Sequence, residues 1–229
     1  MSGCDYADKT FAEKYAKGSP SQFVPGYFTM QRMAAQLIRE VAGASAEVLV
    51  LGAGGGMEIA AFGECEPGWR FFGVDPSPEM LDEARKVVED AGLSGRVQFL
   101  EGYIPEAPAG PFDAATSMLT LHFLKDDGKK LEALKAVRDR LKPNAPFILV
   151  DLCLDKTAAD YDARRDRYAQ FALNAGANPD DVARTRGRLK DVLNTVSAER
   201  DVELLREANF NDIELFYAGL SWRGWIARA

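Results

Sequence analysis

The sequence predicts an α/β fold in which a mostly parallel sheet is flanked by helices and closed by an antiparallel hairpin. Between residues 47 and 152, short apolar runs alternate with segments of helical periodicity. This alternation is typical of parallel strands joined by right-handed helical crossovers. Near the end of the chain, too few residues separate the apolar runs DIELFYAG and SWRGWIAR for a crossover, so these two strands can pair only as a hairpin.

The first 44 residues are predicted to be a helical cap segment. Within QFVPGYF, the Pro-Gly dipeptide indicates a turn before the main helix of this segment. Met33, Leu37 and Val41 then recur at intervals of four residues. Ala34 and Ile38 lie beside them, so we expect this helix to present one apolar face.

The remaining elements follow from the same periodicities. The strands before the hairpin are predicted at 47–52, 70–75, 96–101, 112–117 and 145–152, and the helices between them at 56–64, 78–91 and 127–141. Residues 155–207 are polar and helical, with no strand pattern, and we interpret them as a helical insert. The chain from residue 1 to 229 is thus predicted to be one domain capped by 1–44 and 155–207.

Composition and charge exclude several functional classes. The chain is 47% hydrophobic and 28% charged, as is typical of soluble globular proteins. Its net charge of −7 disfavours direct nucleic-acid binding, although basic clusters at 164–167 and 184–190 could place one arginine near an anionic ligand. Apolar runs are too short for a membrane span. Cys4, Cys65 and Cys153 form no disulfide or metal-ligand pattern, so we expect a cytoplasmic protein without a metal.

A glycine-rich turn follows the first predicted strand, in VLVLGAGGGMEI. Glycines at such a turn allow the backbone to approach a ligand at the N-terminus of the next helix. Gly52 and Gly54 fit the dinucleotide-binding spacing, but that pattern requires a further glycine where this chain has Met57. The observed spacing instead includes Gly56. It disfavours a nicotinamide dinucleotide and is compatible with a ligand that lacks phosphates.

The second predicted strand ends in an acidic residue, Asp75. A carboxylate at this position can accept hydrogen bonds from both hydroxyl groups of an adenosine ribose. Ser77 and Pro78 then have the pattern of a helix start. Met80 falls where a side chain would lie against an adenine, with packing in the core as the alternative.

Several motifs in this order resemble the class I S-adenosylmethionine-dependent methyltransferases: VLVLGAGGG, GVDPSPEMLDEARK, VQFLEGY, FDAATSMLTLHFL and LKAVRDRLKPNAPFILVD. The resemblance implies a Rossmann-like sheet of seven strands with an antiparallel last strand. It also implies S-adenosylmethionine as cofactor and S-adenosylhomocysteine as product. The residues implied to bind the cofactor are Tyr27, Gly52, Ala53, Gly54, Gly56, Asp75, Pro76, Met80, Gly102, Tyr103, Ile104 and Met118.

The chain departs from this family at two positions that recognise amines. Many relatives have an acidic residue two positions before the first glycine, where this chain has Val50, and an aspartate where it has Tyr103. Recognition of the cofactor's amines therefore requires other groups. Glu58 and backbone carbonyl groups are the candidates.

Further segments are similar to the carboxy-S-adenosylmethionine synthases, which act in tRNA wobble-uridine modification. These segments are FVPGY, LTLHFL and LLREANFNDIELFYAGLSWRGWIA. The resemblance implies that Tyr27 closes over the cofactor and that Arg186 faces the carboxylate of a carboxymethyl sulfonium. Met118 stands where that family has an asparagine. The resemblance also implies carboxy-S-adenosylmethionine as an alternative to S-adenosylmethionine and S-adenosylhomocysteine.

The function that we predict is methyl transfer from S-adenosylmethionine to a small molecule. The acceptor pocket is predicted between the N-terminal segment and the insert, with Tyr15, Tyr168, Phe171 and Arg186 as binding residues. The single histidine, His122, follows the fourth strand and is a candidate general base. A purely structural role for His122 is an equal alternative, as is packing for the aromatic pair in the insert.

Two other functions stay open from the sequence alone. One is carboxy-S-adenosylmethionine synthesis, and the other is a non-catalytic cofactor-binding subunit, which the substitutions Val50 and Tyr103 favour. A dehydrogenase is disfavoured by the glycine spacing. We expect no membrane association, and a homodimer is compatible with the sequence.

Overall fold

The computed structural model describes residues 8–229 and confirms the α/β architecture; Cys4 lies outside these residues. The strands are β1 (Glu47–Leu51), β2 (Arg70–Asp75), β3 (Val97–Glu101), β4 (Ala114–Met118), β5 (Pro146–Leu152), β6 (Asn211–Gly219) and β7 (Trp222–Arg228). They form one sheet in the order β3-β2-β1-β4-β5-β7-β6. Strands β1 to β5 pair in parallel, and β7 is antiparallel to both β5 and β6, as the short hairpin link predicts.

Helices cover both faces of this sheet. They are α1 (Lys9–Ala16), α2 (Pro20–Phe23), α3 (Tyr27–Ala42), α4 (Met57–Cys65), α5 (Pro78–Asp90), α6 (Lys129–Arg138), α7 (Tyr161–Asn174), α8 (Pro179–Asp191) and α9 (Ala198–Glu207). Side-chain caps begin several of them: the Ser77 hydroxyl accepts the Met80 N–H at 3.2 Å, and Ser197 accepts the Arg200 N–H at 3.2 Å. In the part of the chain that the structure describes, no helix is both long and apolar enough to span a bilayer.

Alternation along the central strands separates two cores. Val48 and Val50 pack on one face with α3, α4 and α5, while Leu49 and Leu51 pack on the other with α6 and α9. Because both faces of β1 are covered, its apolar residues are continuous rather than alternating with polar ones. Because strands β1 to β5 are parallel, their carboxyl ends meet at a single edge of the sheet, where the glycine turn also lies.

Two local expectations require correction. The apolar face of α3 is centred on Met30, Ala34 and Ile38, which are fully buried, whereas Met33 and Val41 are more than a third exposed. Helix α3 packs against both α4 and β5. The residues that face these two elements are therefore Met30, Ala34 and Ile38. The predicted extension of α6 to residue 141 is also wrong, because Leu141 instead forms a parallel bridge with Phe112.

The N-terminal segment and part of the insert pack together over the sheet edge. Helix α2 contacts α7, and Lys14 on α1 forms an ion pair with Asp181 on α8 at 3.1 Å. The Trp222 indole N–H donates to the Phe23 carbonyl at 3.2 Å, which joins the hairpin to the same segment. Helix α9, by contrast, packs with α6 on the opposite face, so only α7 and α8 of residues 155–207 contribute to this cap.

Candidate active site

The glycine turn after β1 is held in a conformation that needs glycine. Gly52, Gly54 and Gly56 have φ values of 77°, 50° and 78°, in the left-handed region. A Cβ atom on Gly52 would lie 2.0 Å from Thr120 Oγ1, and one on Gly56 would lie 2.9 Å from Ala84 Cα. Gly52 therefore allows close contact with the segment after β4, and Gly56 lies behind the turn and allows α5 to approach.

The Asp75 carboxylate at the end of β2 is fixed by two backbone amides. The Gly54 N–H donates to Oδ2 at 2.8 Å and the Ser77 N–H donates to Oδ1 at 2.9 Å. Burial raises the pKa of Asp75, and these two hydrogen bonds offset part of the rise. Each oxygen retains lone pairs, so this carboxylate can still accept from vicinal hydroxyl groups.

A cavity of about 300 Å³, including its open mouth, lies beside the glycine turn. It brings together seven of the residues predicted from the sequence: Tyr15, Tyr27, Gly52, Ala53, Gly54, Glu58 and Met118. Leu119, at the end of β4, contributes to the same wall and has a positive φ of 59°. The cavity lies at the carboxyl ends of β1 and β4, where ligands bind in open parallel sheets.

The other predicted cofactor residues lie around the ends of β2 and β3. Met80 is fully buried, and its Cε would be 3.4 Å from a Cβ on Gly54. The Gly102 N–H donates to the Asp75 carbonyl at 3.1 Å, which places the turn after β3 next to that carboxylate. In the same region, Ile104 is buried, while Pro76 and Tyr103 are exposed.

A second, wider cleft adjoins the first cavity through Tyr15 and Leu119. Its volume is about 630 Å³ including the open mouth. The walls come from the N-terminal segment, the segment after β4, the end of β5, the insert and the hairpin. Six of the lining residues are aromatic: Phe11, Tyr15, Phe23, Phe123, Tyr168 and Trp222. His122 and Arg188 are the basic residues among the described residues that line it.

His122 is buried beside this cleft and is bound to a carboxylate. It lies in the short 3-10 helix Leu121–Phe123, and its Nδ1 is 2.5 Å from Asp151 Oδ1 on β5. The same oxygen accepts the His122 backbone N–H at 3.1 Å. The ring centroid lies 5.8 Å from that of Trp222. Asp151 therefore fixes the ring orientation through Nδ1, which leaves Nε2 as the nitrogen available to a ligand.

The charge of Asp151 is balanced inside the protein. Lys130 on α6 is fully buried, its Nζ donates to the Leu121 carbonyl at 2.8 Å, and it lies 3.9 Å from Asp151 Oδ2. Burial alone would raise the pKa of Asp151, but His122 and Lys130 hold it below its ordinary value. Our sequence analysis did not identify Asp151, although a single acid within the apolar strand PFILVDL was a usable signal. Nothing in the sequence distinguished Lys130 from its neighbours.

Two predicted acceptor residues do not line the cleft. Arg186 is half-exposed and forms an ion pair with Asp166 at 2.5 Å. Arg188 faces the cleft instead, with its guanidinium carbon 5.6 Å from the Phe11 ring centroid. Residues two apart on a helix point in nearly opposite directions, which explains why only one of these arginines can face inward. Phe171 is half-buried outside the lining, whereas Tyr168 contributes to it.

Glu58, in the first turn of α4, lines the cavity beside the glycine turn. Its side chain is buried, and no residue in the range 8–229 forms a hydrogen bond with Oε1. Burial raises the pKa of Glu58 to about 8, and a contact with the Thr116 hydroxyl limits the rise. The cavity thus contains a carboxyl group that lacks a positive partner among the described residues.

Comparison with known proteins identifies the type of site. Residues 49–147 match the family model for a methyltransferase domain. This part of the chain is thus similar to a methyltransferase domain, and the chain has the fold of S-adenosylmethionine-dependent methyltransferases. A carboxy-S-adenosyl-L-methionine synthase from Klebsiella pneumoniae (strain 342) is 24% identical over 225 residues, which cover 96% of this chain and 91% of that protein.

Solved structures share the methyltransferase fold. An O-methyltransferase family 2 protein from Planctomyces limnophilus DSM 3776, in complex with apigenin, is 15% identical, with a TM-score of 0.59 over 88% of this chain and 61% of that chain. The 1,6-didemethyltoxoflavin-N1-methyltransferase from Burkholderia thailandensis, with its namesake ligand and S-adenosylhomocysteine, is 22% identical, with a TM-score of 0.56 over 86% and 77%. This chain spans only 59%, 57% and 54% of three further matched structures.

The residues of the site fit S-adenosylmethionine, the cofactor of this domain. Asp75 has an amide-fixed carboxylate that can accept hydrogen bonds from ribose hydroxyl groups, and the left-handed glycines would let the backbone approach a ligand. The buried Oε1 of Glu58 adds a polar atom that needs a donor. These residues could thus hold a nucleoside near Asp75 and a charged amino-acid moiety in the cavity beside Glu58.

Proposed function

We propose that this methyltransferase transfers the methyl group of S-adenosylmethionine to a hydroxyl group of a small aromatic molecule. The observation that carries the proposal is the His122–Asp151 pair, which lies in an aromatic cleft that adjoins the cofactor cavity. A hydroxyl group is a weak nucleophile until it loses its proton, so a base at this position favours oxygen as the acceptor atom. When bound, S-adenosylmethionine supplies a methyl group already activated by a sulfonium.

The protein's own residues would orient the acceptor and remove its proton. Tyr168 and Trp222 offer flat apolar surfaces that can hold an aromatic ring and exclude water. The Nε2 atom of His122 would accept the hydroxyl proton. Asp151 would hold the neutral imidazole with its proton on Nδ1 and stabilise the imidazolium that forms. Arg188 at the cleft wall would favour an acceptor with a negative group.

The structural neighbours support an aromatic acceptor. One O-methyltransferase among them was solved with apigenin, a phenolic molecule, although its sequence identity of 15% is low. An N-methyltransferase is also among them, so the fold alone does not select oxygen. The presence of a buried base in this chain is what favours a hydroxyl group.

The proposal is tested by offering the purified protein matched acceptors. Phenols, benzoic acids with a hydroxyl group, aliphatic alcohols and aromatic amines would each be incubated with S-adenosylmethionine labelled in the methyl group. We expect label in the ether product of an aromatic hydroxyl acceptor, and more product from acceptors with an acidic group. Labelled amines without labelled ethers would contradict the proposal.

Synthesis of carboxy-S-adenosylmethionine is the second candidate, because the Klebsiella synthase matches nearly the whole chain. The outward position of Arg186 and its ion pair with Asp166 count against it. Mass spectrometry of the ligand that co-purifies would separate the two, since the carboxylated cofactor is heavier by one carboxyl group. A non-catalytic subunit would bind cofactor and give no product with any acceptor. Cytoplasmic location and homodimer formation remain part of the proposal.

A further inference from the structure

Glu58 has a buried carboxyl group that the proposed reaction does not use. It lies directly after the glycine turn, is 7% exposed, and lines the cavity that we assign to the methionine part of the cofactor. Oε1 has no hydrogen-bond partner within residues 8–229. A buried polar atom without a partner costs free energy, so its presence in a ligand cavity indicates that a ligand atom satisfies it.

The surroundings of Glu58 show which kind of ligand atom is needed. Of the residues between 8 and 229 that line the cavity, none is lysine, arginine or histidine. The polar residues beside it in the cavity wall are neutral: Gln31, Tyr15 and Tyr27. Burial raises the pKa of Tyr27, and the charge of Glu58 raises it further. The cavity therefore has an acid and no base. A cation that can donate hydrogen bonds is the complementary group.

S-adenosylmethionine has one such group. Its sulfonium is positive but carries no hydrogen to donate, and its carboxylate would repel Glu58. The α-ammonium has both a positive charge and three N–H donors. Charge-assisted hydrogen bonds of this kind are stronger than those between neutral groups.

We propose that Glu58 is the carboxylate that binds the α-ammonium of the cofactor. The inference rests on the proposed function only in taking S-adenosylmethionine as the ligand. This role for Glu58 compensates for the missing acid before the glycine turn. Val50 stands at that position, is apolar and fully buried in the core, and so cannot bind an ammonium group. The first turn of α4 supplies the missing charge from the other side of the turn.

The raised pKa of Glu58 determines how the affinity for the cofactor should change with pH. In the free protein the pKa of Glu58 is about 8, so the group is mostly neutral at pH 7. An adjacent ammonium favours the ionised form and lowers this pKa in the complex. Between the two pKa values, binding releases a proton and the affinity rises with pH, by at most about tenfold per pH unit. Above pH 8 the affinity should be constant with respect to Glu58.

Calorimetry with two probes tests the proposal on the full chain. S-adenosylhomocysteine has the α-ammonium, and 5′-methylthioadenosine lacks the whole amino-acid moiety. Both would be titrated from pH 6 to pH 9, in phosphate and in Tris, whose different ionisation enthalpies reveal proton release. The variants are Glu58→Gln, which keeps the side-chain size, and Glu64→Gln on the exposed face of the same helix as the matched control.

We expect wild type and Glu64→Gln to bind S-adenosylhomocysteine more tightly as pH rises to 8, with proton release. Glu58→Gln should lose about 10- to 100-fold in this affinity at pH 8.5 and lose the pH dependence. Its affinity for 5′-methylthioadenosine should equal that of wild type. Unchanged affinity and proton release in Glu58→Gln would overturn the proposal, as would equal losses for both probes.

Failure of the proposed catalytic function has a different signature. If the wild-type protein shows the proton-linked binding but methylates no acceptor, the assignment of Glu58 stands and only the assignment of the reaction falls. If wild type binds neither probe, the ligand itself is wrong and both proposals are overturned.

Discussion

At the scale of single residues, the site is defined by buried charges and by what balances each of them. Asp151 is balanced by His122 and Lys130, and Asp75 by two backbone amides. Burial and the nearby Asp151 raise the pKa of Asp201 well above its ordinary value. Asp151 Oδ2, Asp201 Oδ1 and Glu58 Oε1 each lack a hydrogen-bond donor among the described residues. Of the four carboxyl groups, only Glu58 lines the cavity beside the glycine turn, which is why we assign it to the ligand.

Removal of the Lys130 charge tests the balance around Asp151. Lys130→Met keeps the apolar stem but removes the ammonium group beside the buried carboxylate of Asp151, and uncompensated buried charges are strongly destabilising. We expect the free energy of unfolding to fall by about 3 kcal/mol. Urea denaturation at pH 7 would measure it. Lys129→Met, at the exposed neighbouring position, is the control and should change stability by less than about 0.5 kcal/mol; equal effects of the two variants would contradict this account.

These residues also show where the sequence could and could not predict the site. The glycines and Asp75 were predictable because their roles depend on local spacing after a strand. Asp151 and Lys130 were not identified, since their meeting depends on how β5 and α6 pack. Arg186 and Arg188 show the same limit: which of two basic residues faces inward depends on the rotation of α8, and the periodicity of a polar helix does not determine it.

At the scale of elements, the two turns after β1 and β4 determine the geometry of the site. Gly52 in the first turn lies against Thr120 in the second, and the Thr120 hydroxyl donates to the Met118 carbonyl at 3.0 Å. The second turn leads directly into the 3-10 helix that carries His122. The cofactor cavity and the proposed base are thus positioned by one contact between turns.

A side chain at Gly52 should disturb both the packing of the two turns and the shape of the cofactor cavity. Gly52→Ala adds a Cβ at positive φ and 2.0 Å from Thr120 Oγ1, so we expect a loss of about 2–4 kcal/mol in stability and weaker S-adenosylhomocysteine binding. Thermal denaturation and calorimetry would measure these. Gly187→Ala, on α8 where a new Cβ meets no atom within 4 Å, is the control and should stabilise by roughly 0.5–1 kcal/mol. Tolerance of alanine at Gly52 would contradict the steric argument.

Element types and order were largely predictable, because strongly apolar strands alternate with amphipathic helices. The face that each element buries was less predictable. The predicted apolar stripe of α3 includes Met33, Leu37 and Val41 beside Ala34 and Ile38. Ala34 and Ile38 are buried as expected, whereas Met33 and Val41 are more than a third exposed. The insert was treated as one cap, but α9 packs on the opposite face of the sheet from α7 and α8. Such contacts are long-range, and a local pattern does not determine them.

At the scale of the whole molecule, the fold places the two cavities next to each other at one edge of the sheet. The parallel core holds the cofactor cavity, while the N-terminal segment, α7, α8 and the hairpin enclose the acceptor cleft. Tyr15 and Leu119 belong to both, so an acceptor in the cleft would lie beside the end of the cofactor that carries the methyl group. His122 lies on the acceptor side of this boundary. This arrangement is what an enzyme needs to transfer a methyl group with removal of a proton.

The most direct test of this account is the rate of methyl transfer by wild type and by His122→Asn, with an aromatic hydroxyl acceptor from the panel. The asparagine amide can still donate to Asp151 but cannot accept a proton. We predict that kcat falls by about 10²- to 10⁴-fold, while the Kd of S-adenosylhomocysteine stays within about twofold of wild type. A variant that binds the cofactor normally and keeps the wild-type kcat would contradict the assignment of His122 as the base.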